Sequence, residues 1–83
     1  MTDAIVGKWL YDEITQGSRS RVYQEKAVYE IKNKFGDNFV YYNENGNLAI
    51  SKTVLKEFNK LKNQLSIGKI VWDRSDRAWV YKK

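Results

Sequence analysis

The sequence predicts a single α+β domain of three helices and a C-terminal β-hairpin, and three observations carry that reading. Apolar residues recur at three- and four-residue spacing in three stretches, around Trp9, Ile31 and Phe58. Two β-favouring runs, residues 69–73 and 78–81, flank a turn with Arg74 and Arg77 at its ends. The turn signal Asn43-Glu44-Asn45-Gly46 follows β-favouring Phe39 to Tyr42 and precedes the third helix. Three helices, a short β element before the third and a terminal hairpin wing follow the order of a winged helix-turn-helix.

The first helix carries Ile5, Val6, Trp9, Leu10 and Ile14 on one face, with Thr2 or Asp3 as N-cap and Gly17 as its stop. Glu13 falls inside that apolar arc and is expected at its rim, or paired with a basic residue of a neighbouring helix. Ser18 or Ser20 can cap the second helix, whose core stripe is Ala27, Val28, Ile31 and Phe35 and whose C′ residue is Gly36. Its outer face mixes Glu25, Lys26, Glu30, Lys32, Asn33 and Lys34, an ordinary solvated surface. Residues 39–50 read either as a small hairpin or as a loop with one short strand.

The third helix spans residues 51–64, capped by Ser51, with Val54, Leu55, Phe58, Leu61 and Leu65 as its buried stripe. At about 100° per residue, Lys52, Lys56, Asn59, Lys60 and Asn63 share the opposite side, with Glu57 at the edge. In the hairpin 69–81, a turn centred on Ser75 and Asp76 sets Ile70 against Tyr81, Val71 against Val80 and Trp72 against Trp79. A lone hairpin is marginal in water, so one of its faces must pack on the helices.

Length and composition narrow the function. The 83 residues make one domain, 1–83, whose small core rests on a few large side chains: Trp9, Phe35, Phe39, Phe58, Trp72 and Trp79. The chain has no cysteine and no histidine, hence no thiolate nucleophile, zinc–sulfur site or imidazole base. Its ten acids are scattered and its five glycines lie singly, so neither an acidic metal loop nor a phosphate-cradling loop is visible. An enzyme and a cofactor are therefore not expected. Apolar stretches are short and broken by charge, so neither a membrane span nor a secretory signal is expected, and the location expected is cytoplasmic.

The net charge of +5 is uneven: the positive excess lies in the second helix, the third helix and the hairpin. Two binding readings stay open. In the first, the third helix and the wing bind duplex DNA. Lys52, Lys56 and Lys60 meet phosphates, Asn59 and Asn63 reach base edges, and Arg74 and Arg77 grip phosphate or the minor groove. The third helix has no arginine and a long connection precedes it, which weakens a specific readout. In the second, the domain is a non-enzymatic protein-interaction module or homodimer, with Tyr41, Tyr42, Trp72, Trp79 and Tyr81 as an aromatic contact patch. Each has a bland counterpart: a solvated lysine face for the first, and rings that close the core for the second.

Several runs also resemble a family of short bacterial and phage proteins of unknown function. They are Tyr23-Gln24-Glu25-Lys26-Ala27-Val28-Tyr29, Phe35-Gly36-Asp37-Asn38-Phe39-Val40-Tyr41, Asn43 to Ile50 leading into Val54-Leu55-Lys56-Glu57-Phe58, and Val71 to Trp79. The resemblance covers most of the chain from Trp9 onward and implies a winged-helix-like fold. It brings no catalytic residue, cofactor or partner. Residues 63–68 depart from the pattern, which bears on how the hairpin docks.

Overall fold

The computed structural model describes residues 2–17, 21–66 and 68–82. Helix α1 (Asp3–Gln16) is capped by Thr2, whose hydroxyl accepts from the Ile5 N–H at 3.3 Å. Val6, Leu10 and Ile14 form its buried stripe, Ile5 faces solvent, and half-buried Trp9 meets Phe35 edge-on at 5.9 Å. Glu13 is half-buried, as a rim position requires. The helix stops at Gly17, where a Cβ would collide with the Glu13 carbonyl oxygen.

The next segment corrects the sequence reading. Ser18 and Ser20, the expected caps, lie outside the described residues, and helix α2 (Gln24–Phe35) begins several residues after them. Arg21–Tyr23 instead forms strand β1. The cause is non-local: the last strand of the chain offers these three residues a ladder, pairing Val22 with Trp79 and Tyr23 with Ala78. Tyr23 occupies the N-cap position without a side-chain bond, and the Gln24 N–H donates to the Arg77 carbonyl at 3.0 Å. Helix α2 buries Ala27, Val28 and Ile31, and ends at Gly36, whose φ of 102° favours glycine.

After a 3-10 turn over Asp37–Phe39, β2 (Val40–Tyr42) and β3 (Leu48–Ile50) pair antiparallel, so residues 39–50 contain a true hairpin. Asn43 organises its loop, its Oδ1 accepting from the N–H groups of Asn45 and Asn47, both at 3.0 Å. Helix α3 (Lys52–Asn63) follows. Ser51 stands at its N-cap, yet its hydroxyl bonds the Thr53 hydroxyl at 2.8 Å instead of capping the helix. Val54 and Phe58 are fully buried, Leu55 and Leu61 half-buried, and Leu65 packs on the core from beyond the helix end.

Strands β4 (Lys69–Asp73) and β5 (Ala78–Lys82) keep the register that the aromatic alternation predicts, including Trp72 opposite Trp79. With β1 they form a three-stranded antiparallel sheet in the order β1-β5-β4. Its inner face places Val22, Ile70 and Trp79 in the core, and Trp79 meets Phe58 of α3 edge-on at 5.5 Å. Trp72 lies at the rim, 38% exposed, with its ring 4.9 Å from that of Trp79. The architecture is α+β: three helices with two small antiparallel sheets. Among the described residues no helix is long and apolar enough to cross a membrane.

Helix α3 packs chiefly on α1, and Gly7 leaves no room for a side chain at that contact. A Cβ there would lie 2.9 Å from the Phe58 nitrogen and 3.1 Å from the Val54 carbonyl oxygen. This crossing sets the rotation of α3: its apolar stripe is held against α1 and Trp79, so its lysine face turns outward.

Candidate functional site

All five α3 residues singled out by helical spacing are exposed. Lys52, Lys56, Asn59, Lys60 and Asn63, together with Leu55, line one open groove of about 420 Å³ along the helix. The three lysines are spaced one helical turn apart, about 6 Å. Lys60 is partly neutralised, its Nζ lying 2.8 Å from Glu57 Oε2. Lys52 and Lys56 make no ion pair among the described residues, so their charges face solvent. A row of ammonium groups with one amide within it, Asn59, and one beyond its end, Asn63, can attract an extended polyanion, and the amides can add hydrogen bonds.

The tip of the β4–β5 hairpin is built differently. Asp73 Oδ1 accepts from the N–H groups of Ser75 at 3.0 Å and Asp76 at 3.3 Å, which shapes the turn. Its other oxygen takes Arg21 Nη1 at 2.7 Å, and the same nitrogen reaches Asp76 Oδ2 at 2.8 Å. Arg21 thus reaches across β5 from β1 and clasps both acids of the hairpin end. The hydrogen bond to Arg21 is the main cause holding the Asp73 carboxyl below its ordinary range, and the same bond raises the already high pKa of Arg21. With both acids engaged, Arg74 and Arg77 are exposed and make no ion pair among the described residues.

The expected site residues therefore fall into two groups. The five on α3 share a groove; the two arginines do not join it. Arg77 lines a separate cleft of about 120 Å³ with Gln24, Glu25, Tyr29, Asn47 and Leu48. Lys52 also borders a depression of about 360 Å³ formed with Tyr41 to Asn45. Residues 41–48 of the β2–β3 hairpin and its loop thus share one depression with Lys52 and another with Arg77.

The aromatic set divides as well. Trp79 is core, Tyr81 is half-buried, and Tyr41, Tyr42 and Trp72 stay exposed at 39%, 69% and 38%. Two tyrosines that the sequence left without a role, Tyr23 and Tyr29, line a concavity of about 530 Å³ on α2 with Lys26, Glu30 and Asn33. No sequence signal marks this pair, because Tyr23 belongs to β1 and only the strand-to-helix junction aims it along α2. The Arg21 clasp was likewise missed: its partners lie 52 and 55 residues away, and only the β1–β5 register joins them.

No curated protein and no solved structure matches this chain. Residues 2–81 match a family of unknown function, DUF6953, and since the match spans nearly the whole sequence, the chain belongs to that family.

Proposed function

We propose that this chain is a non-catalytic, winged-helix-like domain that binds duplex DNA through its phosphate backbone. Helix α3 lies against a groove of the duplex, and the wing tip reaches the flanking backbone. The observation that carries this reading is the single groove along α3, lined by Lys52, Lys56, Asn59, Lys60 and Asn63, with its one acid, Glu57, at the edge and paired to Lys60. The winged-helix assignment is supported by the element order and by the sheet order β1-β5-β4, in which α3 leads into the hairpin that forms two of the three strands. The β2–β3 hairpin stands where a standard helix-turn-helix has a tight turn. Without arginine on α3, lysine–phosphate contacts outweigh base readout, so weak sequence preference is expected.

The test is titration of labelled random duplex DNA at increasing salt. If Lys52, Lys56, Lys60, Arg74 and Arg77 each meet a phosphate, log K falls against log salt with a slope of about −4 to −5. Absence of binding at low salt, or resonances of these residues that stay still on adding duplex, would overturn the proposal. A second reading, a protein-docking role, is favoured by the exposed rings of Tyr41, Tyr42 and Trp72. It would replace the first if the duplex is ignored while those rings shift with protein concentration.

A further inference from the structure

We infer that β4 is a self-complementary edge through which two copies of this chain pair, antiparallel and centred on Val71. Strand β4 is the longer of the two open edges of the three-stranded sheet, five residues against three in β1, and its only strand neighbour among the described residues is β5. Five consecutive pairs link it to β5 without a bulge, and it contains no proline. Such an edge presents unpaired backbone groups to a further strand.

The sequence of this edge, Lys69-Ile70-Val71-Trp72-Asp73, selects a second copy of itself as the occupant. Antiparallel pairing about Val71 sets Lys69 of each copy opposite Asp73 of the other, Ile70 opposite Trp72, and Val71 opposite Val71. Both ends then match in charge, and both apolar positions match in face, since Ile70 and Trp72 share the inner side and Lys69 and Asp73 the outer. A two-fold axis through Val71 makes the contact isologous and closed, so pairing stops at two copies.

Two features of the single chain point the same way. Lys69 already stands opposite Lys82 on β5, a like-charge pair that costs stability. A partner's Asp73 on its free side would offset that cost. At the other end, Asp73, Asp76 and Arg21 form a cluster of net charge −1, counting two acids against one base, and this cluster would receive the partner's Lys69. The exposed edge of Trp72 would be covered by the partner's Ile70. The inference does not depend on DNA binding and is tested without DNA.

The chain lacks cysteine, so any introduced thiol is unique. Val71→Cys is expected to give a disulfide-linked dimer on mild oxidation, because its two copies face each other across the axis. Lys69→Cys is not, because its copies would stand about 13 Å apart, beyond disulfide reach. The interface is small, so sedimentation equilibrium of the unmodified protein is followed up to on the order of 1 mM, where a weak dimer becomes populated. Lys69→Glu, which sets acids opposite each other at both ends, should raise the dimer dissociation constant at least tenfold while the circular dichroism spectrum is unchanged. A protein monomeric over the whole range, equal cross-linking at both positions, or a dimer indifferent to Lys69→Glu would each overturn the inference.

Discussion

The seam between α1 and α3 and the outer face of the three-stranded sheet are held by different forces. At the seam, Val6 and Leu10 face Val54 and Phe58, all at 1% exposure or less, and Gly7 lets the backbones come together. On the sheet, Arg21 holds Asp73 and Asp76 with side chains that keep 32–49% of their surface in water. Dispersion and burial at the seam carry no charge to be screened and no group that titrates, whereas a solvated ion cluster is screened and titrates. The seam therefore supplies stability and fixes the rotation of α3. The clasp supplies little stability and fixes the shape of the β4–β5 hairpin tip.

The largest test of this contrast is Phe58→Ala. Phe58 is buried between α1 and Trp79, and removing its ring should cost about 3–5 kcal/mol. A domain of this size has little more than that in total. Urea titration should find the variant largely unfolded at room temperature. A loss near that of a surface substitution would show that the seam is not where the stability lies.

Next in size is Gly7→Ala. Helix propensity alone would make it favourable by about 1 kcal/mol. The added Cβ would instead press on α3 backbone atoms that cannot rotate aside. Overpacking of this kind costs about 1–3 kcal/mol, so the steric term should win. A urea midpoint above that of the unmodified protein would mean that the helices cross less closely than described.

The same contrast explains what the sequence makes legible. The three helices, most of their buried positions, the shared exposed face of five α3 residues and the register of the terminal hairpin follow from local periodicity; Ile5 and Trp72, expected inside, are instead 52% and 38% exposed, because Ile5 lies on the solvent side of α1 and Trp72 on an edge strand. Gly7 is invisible to such reading because its reason lies in the backbone of residues 54 and 58. Strand β1 is equally invisible: Arg21-Val22-Tyr23 is too short to alternate and becomes a strand only because β5 is there to pair with it. The clasp disappears with it. Within the candidate site, helical spacing groups the α3 residues, but that Arg77 lines a cleft with Gln24, Tyr29 and Asn47 rather than with α3 is a tertiary fact that no local pattern states.

A smaller effect is expected from the clasp. Its pH dependence has a definite sign. Asp73 in the folded protein titrates below its ordinary carboxylate value, so in that window the unfolded chain binds more protons. The contribution is present above the ordinary range and is lost as pH falls through the lowered folded value. Arg21→Ala should leave the urea midpoint at neutral pH closer to wild type than Gly7→Ala does, and should flatten the loss of stability at acidic pH. Amide exchange at Ser75 and Asp76 should quicken in the variant while that of Val54 and Phe58 stays unchanged. Equal quickening in both regions would join what the contrast separates.

The smallest expected effect on stability belongs to the outer face of α3, where the largest effect on binding is expected. Lys56→Glu with Lys60→Glu alters exposed groups and breaks the exposed Lys60–Glu57 pair, and surface changes and exposed pairs of this kind typically shift stability by about 0.5 kcal/mol or less each. The helix content and urea midpoint should therefore stay close to those of the unmodified protein, while duplex affinity is lost. A matched control separates site from net charge. Lys26→Glu with Lys34→Glu, on the exposed face of α2, lowers the net charge from +5 to +1 in the same way, two units for each substitution. If binding follows the α3 groove, the α2 pair should weaken it only as long-range charge does, an effect largely screened beyond a Debye length of about 8 Å at physiological salt. Equal losses for the two pairs would reduce the proposed interface to net charge. Unfolding of the α3 pair would mean that the helix is rotated from the position its seam with α1 dictates.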